Sequence, residues 1–257
     1  MFRNPLAGPY VLGISSGASL SVAICLLAGS TVISTPGYFF GKGVVVLAAI
    51  TGSVLVTILI LAVSKKVSSN VVLLLIGIMF SQICAAIQAA LEYFSDPNNL
   101  KSFVIWGMGS LANTTLEDLK LFVPLSIIAL LALMLFIKPL NALLLGQHYA
   151  QNVGVDYKGA RFWLILISSI LTGLTTAFCG PLAFVGIAVP ILSRMLFGTS
   201  RQQVHLMSCL LIGSSILLAS DALCHSSFKN VSLPINMVTT FIGAPLVIYL
   251  MFKNKSW

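Results

Sequence analysis

One long uncharged and almost wholly apolar stretch of the chain constrains the fold most strongly. Residues 162–193, FWLILISSILTGLTTAFCGPLAFVGIAVPILS, contain no acidic or basic side chain. As one helix this run would be about 48 Å long, whereas the hydrocarbon core of a bilayer is about 30 Å thick. Pro181 cannot donate to a helical ladder and Gly180 permits a tight turn. The sequence therefore predicts two helices, 161–179 and a shorter one at 182–198.

Composition identifies the class of protein. Hydrophobic residues make up 58% of the 257 positions, charged residues only 8%, and the mean hydropathy is +1.04. A soluble domain carries about a quarter charged residues because its surface faces water. The chain is therefore predicted to be an integral membrane protein.

Six further apolar stretches are long enough to cross a bilayer. Together with the two helices above they predict eight spans in an all-α, polytopic membrane helical bundle that forms one domain over residues 1–257. The six stretches are 10–33, 43–63, 71–91, 121–137, 205–225 and 230–252.

The distribution of basic residues predicts the orientation of these spans. With eight crossings, ten of the 14 basic residues fall on one side, namely Arg3, Lys65, Lys66, Lys138, Lys158, Arg161, Arg194, Arg201, Lys253 and Lys255. Cytoplasmic loops carry such an excess, so both ends are predicted to be cytoplasmic. The net charge of +8 then reflects topology, and no nucleic-acid partner is needed to explain it.

Two connections are predicted to carry short helices that do not span. Residues 95–119 form the largest outer connection, in which Phe103 and Trp106 suit an interfacial helix. Residues 138–161 are too polar after Gly146 to cross the membrane and are predicted to form short cytoplasmic helices.

No pattern in the sequence indicates catalysis, a metal site or a cofactor. The five cysteines lie in apolar runs without C-x-x-C spacing, and the three histidines are far apart. The chain also lacks the phosphate-binding G-x-x-x-x-G-K-[ST] loop, a nucleophile elbow and a zinc signature. We therefore predict no catalytic residues and no metal ligands, and we expect energy for any transport to come from another subunit.

Six segments together resemble one known family. They are RNPLAGPYVLGISSGASL, IWGMGSL, LNALLLGQHYAQNVGV, GPLAFVGIAVPILSR, LLASDAL and LPINMVTTFIGAPLVIYL. Their order and spacing resemble those of the permease subunits of iron-chelate and cobalamin ABC importers, over essentially the whole chain.

The resemblance implies a ten-helix fold in which the RNPLA segment follows the second span. The chain would then lack the first two spans of the family, through a wrong start, a split gene or a deletion. GPYVLGISSG, starting at residue 8, and GPLAFVGIAVP, starting at residue 180, are similar enough to suggest inverted repeats, or they are alike by chance.

The resemblance also implies roles for three groups of residues. The coupling helices that contact an ATPase would include Gly146, Gln147, His148, Tyr149, Ala150 and Gly154. A cytoplasmic gate, or an ordinary hairpin turn, would include Ser69, Asn70 and Val71. The remaining motif positions are Asn4, Pro5, Leu6, Ala7, Pro9, Gly13, Gly180, Pro190 and Arg194.

One acidic residue is predicted to lie within a span. Asp221 and His225 are four residues apart and so share a helical face, which permits a charged hydrogen bond. An ionisable group in a membrane is a candidate functional residue. A structural role, bonding backbone or a neighbouring helix, is the alternative.

The resemblance implies the following function. Two copies of the chain would import a siderophore or haem by alternating access, with ATP and Mg²⁺ bound by two partner ATPase subunits and cargo delivered by an extracytoplasmic binding protein in a bacterial inner membrane. The alternatives are a cobalamin permease, a carrier or channel that needs no ATPase, and an inactive remnant.

Overall fold

The structure is a computed structural model that describes residues 12–28, 38–64, 70–111, 114–199, 201–226 and 233–253. Every regular element in these ranges is a helix. In chain order they are α1 (Ile14–Ala23, continued by a π-helical turn at Ile24–Ala28), α2 (Tyr38–Ser64), α3 (Asn70–Tyr93), α4 (Pro97–Gly107), α5 (Leu116–Leu135), α6 (Ile137–Leu144), α7 (Gln147–Asn152), α8 (Tyr157–Cys179), α9 (Val185–Phe197), α10 (Gln202–Ser226) and α11 (Ile235–Lys253). The predicted all-α membrane bundle is confirmed.

A helix lies at each of the eight predicted spans, but the helices differ in length. Among the described residues, five helices are long and apolar enough to cross a bilayer, at Gly43–Ser64, Val72–Tyr93, Leu116–Leu135, Lys158–Cys179 and Gln202–His225. Three apolar helices are shorter, at Ile14–Leu27, Val185–Phe197 and Ile235–Tyr249. Length and composition therefore identify five spans, and the count of eight stays a prediction.

Several predicted boundaries differ from the ends of the helices, and for two of them the structure shows a local reason. The span expected at 121–137 begins earlier, at Leu116, because Thr115 and Asp118 form a capping box in which each side chain bonds the other's backbone amide. The span expected from residue 182 begins at Val185 instead, because Phe184 takes the left-handed φ of 64° and its carbonyl accepts the first helical bonds, from Ile187 and Ala188.

Small residues let α1, α2 and α8 pack closely. An added Cβ on Gly17 would lie 2.8 Å from the carbonyl oxygen of Gly52, and an added Cβ on Gly52 would overlap Ser21 and the Gly17 carbonyl. On the other side of α2, a Cβ on Gly173 of α8 would lie 2.8 Å from the Ala49 carbonyl oxygen. Helices in lipid associate through such contacts because water supplies no driving force there.

Buried hydroxyl groups join α2 to α8. Ser53 donates a 2.8 Å hydrogen bond to the backbone oxygen of Ser169, and the Thr57 hydroxyl bonds the Ser169 hydroxyl. All three side chains are fully buried. These bonds favour one register of the two helices, since a slip would lose both hydrogen bonds between them.

Helices α9, α10 and α11 pack mainly against one another. Ala188 and Ile191 of α9 and Val247 of α11 form a buried cluster between them. Asn141 of α6 accepts a 3.0 Å hydrogen bond from the Gln202 amide and so connects α10 to the short helices. The predicted short helices at 95–119 and 138–161 are confirmed as α4, α6 and α7.

A prediction follows from the contact between α1 and α2. Gly52→Ala should lower the free energy of unfolding by about 1–3 kcal/mol, because its Cβ would overlap backbone that cannot rotate away. A Cβ added at Gly43 in the same helix would have no other atom within 4 Å. Gly43→Ala should therefore leave the free energy of unfolding unchanged or raise it by up to about 1 kcal/mol. Thermal unfolding in detergent, followed by the exposure of buried cysteine thiols, measures both. Equal midpoints for the two variants would contradict this packing.

Candidate functional site

Three segments that lie far apart in the sequence meet at one point, which we call the Asn236 junction. It comprises residues 107–110 at the end of α4, residues 179–183 from the end of α8 toward α9, and residues 235–236 at the start of α11. Each segment comes from one of the six sequence motifs. The structure therefore brings together three motifs that the sequence left separate.

The break between α8 and α9 forms one part of this junction. Gly180 has φ 74° and ψ 176°, a conformation that only glycine adopts readily, and its amide donates a 2.9 Å bond back to the Thr176 oxygen. An added Cβ would overlap the carbonyl oxygen of Trp106. The predicted break is confirmed, and the structure adds the close approach of α4 as a second reason for glycine.

The end of α4 lies against the end of α8. The Trp106 indole donates to the Ala177 oxygen at 3.4 Å, and the Ser110 amide donates to the Cys179 oxygen at 3.1 Å. Phe103 stacks on Trp106, with ring centroids 5.6 Å apart. Both aromatic residues that the sequence assigned to the 95–119 connection thus anchor α4 to the bundle.

The Asn236 side chain, in the third segment, bonds both of the other two. Its Nδ2 donates to the Pro181 oxygen at 2.7 Å and to the Gly107 oxygen at 3.3 Å, while its Oδ1 accepts from the Ala183 amide at 3.2 Å. Two carbonyl oxygens and one amide N–H surround the group, so this orientation alone satisfies every partner.

The backbone of α11 adds two bonds to the same place. The Ile235 amide donates to the Gly109 oxygen and the Asn236 amide to the Met108 oxygen, both at 3.4 Å. The first amides of a helix have no partner within the helix, so these contacts satisfy two of them. Asn236 lies in the motif LPINMVTTFIGAPLVIYL, but the sequence predicted no role for it. The feature that could have indicated a role for Asn236 is its position as a lone amide side chain at the start of an apolar helix.

The predicted coupling segment forms a separate candidate site. Gly146, with φ 113° and ψ 158°, separates α6 from α7. Helix α7 ends in a Schellman motif, in which the Val155 amide bonds the Ala150 oxygen at 2.9 Å and the Gly154 amide bonds the Gln151 oxygen at 3.0 Å. Asp156 then caps α8. These turns give the short helix α7 two fixed ends.

Several apolar side chains of this segment are exposed. Ala150 is fully buried, whereas the Tyr149 side chain is 50% exposed and Val153 is 61% exposed. Leu144 and Leu145 before Gly146 are also exposed. An exposed apolar cluster of this kind is typical of a surface that contacts another protein or the membrane. Gln147 and His148 form the first turn of α7.

The remaining predicted site residues fall in several places. Asn4, Pro5, Leu6, Ala7, Pro9 and Ser69 lie outside the described residues, while Asn70 and Val71 begin α3.

Gly13 caps α1 with φ 77°, and an added Cβ there would lie 2.9 Å from the Gly77 oxygen of α3. Pro190 lies inside α9, and the exposed Arg194 lies in its last turn, where a cation is favourable.

Asp221 and His225 do share a helical face, as the sequence predicted. Their side chains approach to 3.7 Å between Nδ1 and Oδ1, and the imidazole nitrogen lies 2.9 Å from the Asp221 backbone oxygen. The His225 side chain is 50% exposed and that of Asp221 is 34% exposed. The pair lies at one end of α10, away from the buried core.

A polar cluster that sequence reasoning missed joins α9 to α10. The Ser193 hydroxyl lies 2.7 Å from His205 Nδ1 and also bonds the Ser208 hydroxyl. Both serines are buried. The two helices are consecutive but the spacing is irregular, so no sequence pattern could have indicated this contact.

Comparison with known proteins gives consistent relationships over the whole chain. Residues 1–253 match the model of the FecCD transport family. The vitamin B12 import system permease protein BtuC of Klebsiella pneumoniae is 32% identical, over 99% of this chain and 74% of that protein. The hemin transport system permease protein HmuU of Yersinia pestis is also 32% identical, over 99% of this chain and 75% of its own length.

A solved structure resembles the fold equally well. It is described as an inward-facing conformation of a metal-chelate type ABC transporter, and it superimposes with a TM-score of 0.86 at 30% identity. The superposition covers 98% of this chain and 78% of the other. The arrangement of helices around the Asn236 junction therefore belongs to a fold that has been seen in an ABC transporter.

The junction generates a prediction about Gly180. Gly198 has φ 54°, and an added Cβ there would have no other atom within 4 Å. Gly198→Ala should therefore lower the free energy of unfolding only by the strain of the left-handed conformation, about 1–2 kcal/mol. Gly180→Ala forces alanine into a conformation that only glycine adopts readily, and its Cβ would overlap the Trp106 carbonyl oxygen. It should therefore lower the free energy of unfolding by at least about 1 kcal/mol more than Gly198→Ala does. Thermal midpoints in detergent compare the two. If Gly180→Ala were the milder change, the close approach of α4 would be wrong.

Proposed function

The chain belongs to the FecCD transport family, and on that premise we propose that it is the permease subunit through which an ABC importer moves an iron chelate, a siderophore or haem, into the cytoplasm. The observation that carries the proposal is the match along the whole chain, in sequence and in structure, to permeases of this kind. A carrier or channel that works without an ATPase has no such support.

The apolar character of the helices suits such cargo. Iron chelates are large and vary in shape, and tight binding sites would slow their passage. Helix α3, one of the helices long enough to span, shows this character. It carries a single charged residue, Glu92, which lies near its end. Weakly polar walls would let the cargo move as the helices rearrange.

Coupling to ATP hydrolysis is proposed to occur at α6 and α7. The rigid turns at Gly146 and Gly154 and the exposed Tyr149 and Val153 give this segment the form of a knob that could insert into a partner's cleft. Since the sequence has no phosphate-binding loop, ATP and Mg²⁺ would be held by two separate ATPase subunits.

The complete transporter would contain two copies of this chain. An extracytoplasmic binding protein would deliver cargo to the outer face, and alternating access would carry it inward. Asn70 and Val71, at the start of α3, are proposed to lie at the inner constriction together with Ser69. Both ends of the sequence would then lie in the cytoplasm of a bacterium, below its inner membrane.

Cobalamin is the second candidate cargo. Several relatives that are 32% identical over almost the whole chain are named as vitamin B12 permeases, which is the same identity as that of the hemin permease. The choice between the two cargo classes therefore depends on uptake measurements.

The orientation gives a prediction that uses two exposed lysines. In a background without cysteine, Lys101→Cys in α4 should react with a membrane-impermeant maleimide in intact spheroplasts. Lys158→Cys at the start of α8 should react only after the membrane is permeabilised, because the positive-inside rule assigns it to the cytoplasm. Labelling of Lys158→Cys in intact spheroplasts would overturn the proposed topology.

The coupling surface gives a prediction about two tyrosines. Tyr149→Ala should reduce both recovery of the ATPase subunit with the permease and uptake of cargo by about tenfold or more, since it removes an aromatic side chain from the proposed contact. Uptake is measured with radiolabelled ferrichrome, hemin and cyanocobalamin in a strain that lacks its own permease.

Tyr93→Ala is the matched control. Tyr93 is 83% exposed at the far end of α3, so its loss should leave assembly and uptake unchanged. Equal effects of the two variants would refute coupling through α7. If the wild-type chain restored uptake without any ATPase subunit, the proposed function itself would fail.

A further inference from the structure

We propose that Arg161, with Lys158 one turn before it, binds the phosphate of an anionic phospholipid at the start of α8. The acyl chains of the lipid would lie along the apolar side chains that follow on the same helix. This inference goes beyond the proposed function, because it concerns a lipid and neither the cargo nor ATP. It shares with that function only the predicted orientation, which places the start of α8 at the inner leaflet.

Arg161 is a half-buried cation without a partner in the part of the chain that the structure describes. Its Nε is buried without a hydrogen-bond partner, and its guanidinium forms no ion pair with any described residue. Three other buried side-chain atoms lack a partner among these residues, but all three are neutral, on Gln88, Ser126 and Ser220. Because an unpaired charge is costly to bury, Arg161 calls for an anion from outside the chain.

The next two residues place Arg161 at the level of the lipid headgroups. Phe162 and Trp163 pack edge to face with ring centroids 5.7 Å apart, and both side chains are exposed. They lie near the start of a helix that is long and apolar enough to cross a bilayer, Lys158–Cys179. Large aromatic side chains of this kind concentrate where the membrane meets water. A phospholipid carries its phosphate at this depth, whereas a soluble subunit approaches only from beyond the headgroups.

Charged and apolar side chains follow one another along one face of α8. Lys158, Arg161 and Phe162 are three and four residues apart and so share this face, which continues with Ile165. Lys158 is exposed and Ile165 is half-buried. The face therefore presents two cations, then an aromatic ring and then an aliphatic side chain. A phospholipid has the matching order, from its phosphate to its acyl chains, along the same direction into the membrane.

The charge of the surrounding segment favours a lipid with a net negative charge. Residues 138–163 contain three basic side chains, of Lys138, Lys158 and Arg161, and one acidic side chain, of Asp156. Asp156 precedes Arg161 by more than one helical turn, and its Oδ1 accepts a 3.1 Å hydrogen bond from the Lys158 amide. A zwitterionic headgroup would add a positive charge beside these cations, whereas phosphatidylglycerol adds none.

The lipid site lies directly beside the proposed coupling segment. Only residues 153–156 separate α7 from α8, and the two helices are in contact. A lipid held at Arg161 would therefore fix the helix on which α7 packs. This consequence rests on the proposed function, whereas lipid binding itself does not.

The test measures lipid binding to the purified chain. The chain is delipidated in detergent and titrated with phosphatidylglycerol or phosphatidylcholine, and native mass spectrometry gives the apparent Kd of the first bound lipid. Arg161→Gln removes the charge, Arg161→Lys retains it, and Lys158→Gln removes the second cation. Arg201→Gln is the matched control, because Arg201 is an exposed arginine just before α10 on the same predicted side of the membrane.

The wild-type chain should bind phosphatidylglycerol more tightly than phosphatidylcholine. Arg161→Gln should weaken binding of phosphatidylglycerol about tenfold, the factor expected for the loss of a hydrogen bond to a charged group. Lys158→Gln should weaken it about threefold, since an exposed cation contributes less. Arg161→Lys should stay within about threefold of wild type, because lysine also binds phosphate as a point charge. Arg201→Gln should match wild type.

Three outcomes would overturn the proposal. Equal losses in Arg161→Gln and Arg201→Gln would mean general attraction of charge without a site. Wild-type affinity for phosphatidylglycerol in Arg161→Gln would mean that the arginine serves another partner, and weaker recovery of the ATPase subunit with this variant would identify that partner. If Arg161→Gln does not fold, Lys158→Gln decides, and wild-type affinity in that variant would count against the site.

A second measurement identifies the source of the phosphate. Nanodiscs of phosphatidylglycerol should raise the Tm of the wild-type chain, relative to nanodiscs of phosphatidylcholine, more than they raise that of Arg161→Gln. Inorganic phosphate added to the phosphatidylcholine nanodiscs should leave the Tm unchanged, and an equal rise with inorganic phosphate would assign Arg161 to a free anion instead. Neither measurement uses cargo or ATPase, so a chain that imports nothing could still show the lipid site, and a chain that imports cargo could lack it.

Discussion

Backbone polar groups in a membrane must find partners inside the protein, because the hydrocarbon core offers no water. The interruption at Gly180 and Pro181 leaves backbone groups between α8 and α9 without helical partners. Asn236 meets this requirement by donating to one carbonyl of the link and accepting from one of its amides. The end of α4 and the start of α11 are drawn to the same point, so the interruption organises three elements at once.

The contact of α1, α2 and α8 depends on close packing instead of on backbone hydrogen bonds between segments. These helices satisfy their backbone groups internally, so their association depends on how closely their surfaces approach. Gly17, Gly52 and Gly173 remove the side chains that would keep the helices apart, and Ser53 with Ser169 fixes how they are aligned. A tightly packed group of helices of this kind can move as a unit, which suits alternating access.

The short helices α6 and α7 follow a third rule. They lie between α5 and α8, and helices as short as these are marginal unless their ends are fixed. Gly146 and the Schellman motif that ends at Val155 supply those ends, and burial of Ala150 ties α7 to the bundle. The exposed Tyr149 is then held on a rigid support, as a surface that transmits force to a partner would need.

The sequence by itself determined the class of protein, the helices at all eight predicted segments and the break at Gly180, because apolar length and the backbone chemistry of glycine and proline are local properties. It could not determine the role of Asn236 or the contact of Ser193 with His205. Those depend on which atoms of distant segments come within hydrogen-bond distance, 129 residues apart for Asn236 and Gly107. Only the tertiary structure decided them, since hydrogen bonds act over about 3 Å in space whatever the separation along the chain.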